Sequence, residues 1–309
     1  GWRLVSFLHM TQDSRQLDAE TPDPRLSQPE GEAVFAAAQM LLKAALEQGV
    51  GVVIAARLGS PEPAVELLES HRAWLGEQGV EVLVLPDAAL ALAAARGVAD
   101  AGRSGLVLLD CEGVSSASRD LLARDTARAE QDGAGVVVAV GPTDEPTGRT
   151  LCEGWVSAGL AVFEPGLHAE VMPWFGAAIQ ASVSSGRPAV LGLARELWAG
   201  FASVPLAPNA GSDRAPSGVS PVRSKGRASA EVLLGIARDC GANRILNPPS
   251  RDESLPMGLV ASGVGYARLR QVVSELGLVG RLPILRLGFT GPLDTELLER
   301  HARDCQRLL

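Results

Sequence analysis

PDAALALAAARGVADAGRSGLVLLDCEGVSSAS, residues 86–118, decides how the chain is read. It opens as a helix built almost wholly of Ala and Leu, which Gly97 is expected to end. After a short polar turn comes the apolar run Leu106-Val107-Leu108-Leu109, which stops at Asp110-Cys111-Glu112-Gly113. An apolar run without polar alternation is a strand buried on both faces, the mark of a parallel sheet. Small residues let the helix lie very close to a neighbouring backbone. The strand's carboxyl end opens into a loop at Gly113 with small hydroxyl residues after it, and in an open α/β sheet that is where ligands bind.

The same alternation runs outward on both sides. Residues 11–31 are polar, with Pro22, Pro24 and Pro29, and read as an irregular lead-in. Glu32 to Gln48 is predicted as one helix and Val50 to Ala55 as a buried strand. Gly59-Ser60-Pro61 then turns into a helix over 63–76, with Ser60 as N-cap and Pro61 at the first helical position. Val80 to Leu85 is the next strand. Downstream come a helix over 118–131, the strand Gly135–Val140, a flexible loop over 141–148 and a short strand Ala161–Pro165. A helix over 168–185 and the strand Ala189–Leu193 follow. Apolar strands alternating with helices at this spacing predict an α/β fold with a doubly wound parallel sheet.

Residues 205–228 are rich in Pro, Gly and Ser and read as a linker. Beyond them a second, incomplete α/β domain is predicted, with helices over 229–240, 265–276 and 294–308. Its strands are expected at Gly258–Gly263 and 283–288. Two strands are thin for such a domain, so it is expected to continue past Leu309 or to dock on another chain. The divisions are thus 1–29, 30–204, 205–228 and 229–309.

The 309 residues are 46% hydrophobic, 21% charged and only 4% aromatic, which suits tight α/β layers. A net charge of −8 without a Lys/Arg run argues against a nucleic-acid partner. No apolar run reaches the roughly 18–20 residues a bilayer requires, and the N-terminus lacks the pattern of a signal peptide. Cys111, Cys152, Cys240 and Cys305 are scattered without a CxxC pair, so neither a zinc knot nor a cysteine-ligated iron–sulfur cluster is expected in this chain. Unclustered thiols suit a reducing cytoplasm.

Gly59-Ser60-Pro61-Glu62 is either a helix start able to bind an anion or a capped turn without a ligand. Gly113 with Ser115 and Ser116 is either a tight turn or a ligand loop, and Cys111 and Glu112 line the same cleft. His168 reads as a helix-start residue, and His9, His71 and His301 make no metal spacing. Ser262-Gly263-Val264-Gly265 reads as a close strand–helix turn, a weak phosphate-loop pattern.

Several segments, taken in order, resemble the thiamine-diphosphate-dependent 2-oxoacid:ferredoxin oxidoreductases, most nearly the α subunit of the indolepyruvate enzymes. They are EGEAVFAAAQMLLKAALEQGV (30–50), ARLGSPEPAVELL (56–68), ARGVADAGRSGLVLLDCEGVSSAS (95–118), GLVASGVGYARL (258–269) and LPILRLGFTGPLD (282–294). The resemblance implies a pyrimidine-binding domain over 30–204 and part of a transketolase-C-like domain over 229–309. It implies oxidative decarboxylation of an aryl or branched 2-oxoacid, with thiamine diphosphate and Mg²⁺ held jointly with a pyrophosphate-binding domain or subunit. The Gly-Asp-Gly motif of that half is absent here. Iron–sulfur clusters on another domain or chain, ferredoxin as acceptor and a homodimer or larger assembly are implied as well.

Aligned on Gly97 and Gly113, the family's activating carboxylate falls at Ala88, so the site is degenerate. Asp87, one residue away, is the catalytic candidate, and Glu112 is the other acid at hand. Gly59, Ser60, Pro61, Cys111, Glu112 and Gly113 would border the cofactor. Thr143 and Arg149, on the loop over 141–149, would face the substrate. The alternatives are a catalytically silent structural homologue within a larger oxidoreductase and an unrelated nucleotide-binding flavodoxin-like module.

Overall fold

The computed structural model describes residues 23–114, 134–211, 230–247 and 257–309. The predicted helix over 118–131, Ser115, Ser116 and most of the lead-in and linker lie outside these residues.

Among the described residues, seven strands form the main sheet. In chain order they are β2 (Val52–Leu58), β3 (Glu81–Asp87), β4 (Gly105–Asp110), β5 (Val136–Gly141), β6 (Val162–Phe163), β7 (Ala189–Gly192) and β12 (Phe289–Gly291). Their spatial order is β12-β6-β7-β5-β4-β2-β3. Every neighbouring pair is parallel except β12 with β6. This is the doubly wound α/β sheet predicted from the apolar runs. Alternate residues serve opposite layers. Leu106 and Leu108 pack with Val53, Val137 and Leu191 under the helices Ala37–Glu47 (α2) and His168–Ser185 (α7). Val107 and Leu109 pack with Ile54, Val138 and Val190 under Ala88–Asp100 (α5) and Pro146–Ser157 (α6). Burying each such side chain contributes roughly 1.5–3 kcal/mol, and the polar residues of these strands, Arg57 and Asp110, stand only at their carboxyl ends.

Several boundaries differ from the sequence reading. The segment Glu32–Ala36 is a strand, β1, and helix α2 starts only at Ala37. Ala33 and Phe35 point inward while Glu32 and Val34 point out, and β1 pairs antiparallel with β8 (Phe201–Pro205). The Gln39 carboxamide accepts the Ala36 N–H at 3.1 Å and sets the switch from strand to helix. Helix α5 passes through Gly97 and ends at Asp100, because the residue with left-handed φ is Gly102. The helix expected over 63–76 is two, Glu62–Ser70 (α3) and Arg72–Glu77 (α4), parted at His71, whose Nε2 accepts the Asp23 N–H at 3.0 Å. The loop expected over 141–148 gives way at Pro146 to helix α6, held by the buried Leu151, Cys152 and Trp155.

The C-terminal part holds a second, three-stranded sheet. Strands β10 (Leu259–Ala261) and β11 (Ile284–Leu287) are parallel across helix α10 (Gly263–Glu275), as expected. A strand absent from the sequence reading, β9 (Asn243–Leu246), pairs antiparallel with β11. Beyond Gly288 the chain crosses into β12 and joins the main sheet at β6. The crossing needs glycine, since a Cβ on Gly288 would lie 2.2 Å from the Trp174 ring. Beside it Arg286, 3% exposed, pairs with Glu170 and lies 4.4 Å from the Trp174 ring and 4.5 Å from the Tyr266 ring. Helix α9 (Ala230–Asp239) and helix α11 (Thr295–Arg303) complete this part.

Lys43, fully buried in α2, ties the flanking segments to the core. Its Nζ donates to Gln28 O at 2.9 Å, Ala207 O at 2.8 Å and Asn209 Oδ1 at 2.7 Å, and it pairs with Glu47 at 3.3 Å. Lys43→Met keeps the stem but strands those buried acceptors, and denaturant titration is expected to show a loss of about 3 kcal/mol.

Candidate functional site

The chain leaves β2 for β3 on one side and returns to β4 on the other, so the carboxyl ends of β2 and β4 form a switch point of the sheet. Gly59, Gly113 and Ala88 meet there. A Cβ on Gly113 would fall 2.1 Å from the Gly59 Cα, and one on Gly59 (φ +110) would fall 3.1 Å from the Ala88 Cβ. Asp110 N–H donates to Gly59 O at 2.8 Å. The Ser60 hydroxyl accepts the Ala56 N–H at 2.8 Å and donates to Leu108 O, joining β2 to β4. It is therefore not the helix cap. Pro61 takes that place without a side-chain bond, and α3 begins at Glu62.

The acids at this junction are engaged locally. Asp87 is the N-cap of α5, its Oδ1 accepting the Leu90 N–H at 2.9 Å. Asp110 Oδ1 accepts the Glu112 N–H at 3.2 Å, and Glu112 is exposed on a short 3₁₀ turn. The Cys111 thiol is buried, which pushes its pKa up to about 12, with Asp110 and Asp144 adding to the effect. Ala88, where the resemblance would put an activating carboxylate, is 1% exposed and packs against Gly59. Ala88 thus brings no carboxylate to the Gly59 contact, and the nearest acids, Asp87 and Asp110, each accept a local backbone N–H. Among the described residues no group of His, Cys, Asp and Glu is arranged to hold a metal.

An open cleft lies further along the same edge, at the carboxyl ends of β5, β6 and β7. It measures about 700 Å³ and runs between α6 and the start of α10. Thr143 and Arg149 both line it, Thr143 on the β5 exit and Arg149 on α6, while Asp87 does not. Asp144 is engaged by the Arg195 N–H at 2.7 Å, and Arg268 pairs with Glu196 at 2.7 Å. Among the described residues, the one hydrogen bond of the Arg149 side chain goes to the Asp144 carbonyl, at 3.4 Å.

Two lining residues were missed from the sequence. Glu164 follows β6 and has neither a hydrogen bond nor an ion pair to its side chain among the described residues. Burial raises its carboxyl pKa, and the nearby Arg149 holds it back. The Thr290 hydroxyl on β12 is buried and has no hydrogen-bond partner among the described residues. The only signal for Glu164 was an acid between an apolar strand and Pro165, and nothing marked Thr290. The segment 262–265, read as a close strand–helix turn, joins β10 to α10, which begins at Gly263, and Ser262 makes no side-chain cap bond.

No protein-family model matches the sequence, and no curated protein matches it. Solved structures do. The 2-oxoglutarate:ferredoxin oxidoreductase from Magnetococcus marinus, with 2-oxoglutarate, coenzyme A and succinyl-CoA bound, superposes with a TM-score of 0.60 at 11% identity. The chain shares that enzyme's fold. The match covers 90% of this chain and 57% of that one, so the chain spans a little over half of its neighbour's length.

Two measurements check this geometry. Gly113→Ala forces the β2–β4 junction apart and should lower the unfolding free energy by about 2 kcal/mol or more. A carboxyl whose pKa is raised in the native state stabilises the fold fully below its ordinary value, here 4.5, and loses that contribution as pH rises through the folded pKa. Glu164→Gln should therefore raise the melting temperature at neutral pH and leave it nearly unchanged well below 4.5.

Proposed function

We propose that the chain is a component of a 2-oxoacid:ferredoxin oxidoreductase-type assembly and does not itself supply the acid that activates thiamine diphosphate. The shared fold and the ordered motifs support the assembly. The single observation that carries the second half is Ala88, buried against Gly59 while the neighbouring Asp87 carboxylate caps α5. On this reading a pyrophosphate-binding partner, iron–sulfur clusters and ferredoxin complete the system from outside the chain. The contribution here is a rigid sheet, an interface and a cleft. The described helices include none long and apolar enough to cross a membrane. Four free thiols suit a reducing cytoplasm.

A second reading, an active pyrimidine-side subunit acting on an aryl or branched 2-oxoacid, is favoured by one observation. Thr143 and the lightly bonded Arg149 face an open cleft at strand ends. There the guanidinium would hold a substrate carboxylate and the hydroxyl would orient it.

Asp87→Ala separates the two in the assembly purified with its partner subunits. The first reading expects loss of the cap alone, about 1 kcal/mol of stability, with 2-oxoacid turnover and calorimetric thiamine-diphosphate binding unchanged. A fall in turnover of about 100-fold, the scale of a lost acid–base group, would establish the second reading instead.

A further inference from the structure

The chain carries a net charge of −8, yet its C-terminal part holds a cationic recess. The recess measures about 290 Å³ and lies where α9, β9 and α11 converge. Four guanidiniums line it. Arg238 stands near the end of α9, Arg244 on β9, and Arg300 and Arg303 in the last turn of α11. Among the described residues Glu296 is the one acid in the lining. Arg238 is already matched. Its Nε and Nη2 donate to the buried Asp294 carboxylate at 2.8 and 2.6 Å, and Nη2 also reaches Glu296 at 2.8 Å. These bonds fix the Arg238 fork before any ligand arrives. Arg244, Arg300 and Arg303 are exposed and make no ion pair among the described residues, while Arg303 Nε donates to Glu299 O at 3.4 Å. The four cations thus outnumber the two carboxylates, Asp294 and Glu296, by two. Like charges gathered in one recess repel one another, and a bound dianion removes that repulsion. Arg300 and Arg303 also complement the negative end of the α11 dipole. The dipole does not account for Arg244, which comes from a strand, or for the convergence of three elements on one recess.

We propose that this recess binds a phosphoryl dianion, a phosphate or diphosphate group, free or carried on a small organic molecule. Its oxygens accept from Arg244, Arg300 and Arg303, with the fixed Arg238 beside them. Planar guanidinium forks match phosphate oxygens two at a time. The apolar Ile245 and Leu297 complete the lining and strengthen the attraction by excluding water. Glu296, its side chain 79% exposed, can swing off Arg238 into solvent as the anion enters. The volume is at the small end of ligand pockets, and it is too small to take in a turn of helix about 10–12 Å across. The recess therefore suits a compact anion better than an acidic protein segment. Neither Ala88 nor the cleft beside α6 enters this inference, which stands whichever reading of the assembly holds.

The test is titration calorimetry on the full chain, free of thiamine diphosphate, at about 0.15 M salt, where exposed charges more than about 8 Å apart are screened. The probes are pyrophosphate, inorganic phosphate, ADP, succinate and poly-L-glutamate. Pyrophosphate is expected to bind at one site with a Kd of about 1 mM or tighter, and at least about tenfold more tightly than succinate. ADP binding as tightly as pyrophosphate assigns the site to a phosphoryl group on an organic carrier, and pyrophosphate binding without ADP assigns it to the free anion; both support the proposal. Arg244→Met and Arg300→Met, at exposed positions, are expected to fold as the parent does and each to weaken binding at least about tenfold, the scale of a lost charged hydrogen bond. Arg281→Met removes the same charge from an exposed position outside the recess and is expected to leave the affinity within about twofold. The proposal is overturned if pyrophosphate does not bind, if succinate or poly-L-glutamate binds as tightly, if Arg244→Met and Arg300→Met both keep the parent affinity, or if Arg281→Met weakens binding as much as they do. None of these results bears on turnover in Asp87→Ala, so the two readings fail separately.

Discussion

The central strands of the main sheet have no face left for water, and everything else follows from that constraint. Residues 52–56, 105–109 and 136–141 are buried in unbroken runs. Both faces must therefore be covered along their length by helices. Ala-rich helices such as α5 do so at close range. With both faces sealed by aliphatic layers, polar chemistry has only the strand ends to occupy. The Gly59–Gly113 junction and the cleft with Thr143, Arg149 and Glu164 both lie there.

The two places on that rim are built differently. At the switch point, backbone lies against backbone and the Ser60 hydroxyl is fully used in joining strands. At the cleft, helix α6 and helix α10 stand apart, and among the described residues Glu164 has no side-chain hydrogen bond, only the nearby charge of Arg149. Small residues account for the first arrangement. Gly59, Gly113 and Ala88 let three segments converge, and any larger side chain among them would have to displace backbone.

The sequence made the sheet legible because two-sided burial writes itself as an uninterrupted apolar run, as in β2, β4, β5 and β7. Helix α7 was legible to its ends. What stayed hidden depended on partners distant in the chain. Strand β1 is five residues at the head of an Ala-rich stretch, and only β8 makes it a strand. Strands β9 and β12 are four and three residues long and take their identity from β11 and β6. Helix α6, with Pro, Gly and Thr in its first turn, looks like a loop until Trp155 is seen in the core. At the site, Thr143 and Arg149 were legible as polar residues after an apolar strand. Glu164 was not, because a single acid after a short strand has no pattern, and its burial comes from elements distant in the chain.

Strand β12 belongs by sequence to the C-terminal part and by hydrogen bonding to the main sheet. The partner it covers, β6, would otherwise be the sheet's exposed edge, and uncovered edges invite pairing with other chains. The last fifty residues are thus the selvage of the main sheet. A related chain could exchange this part only with one whose corresponding strand fits the groove of Phe163, whose ring lies 4.7 Å from that of Phe289.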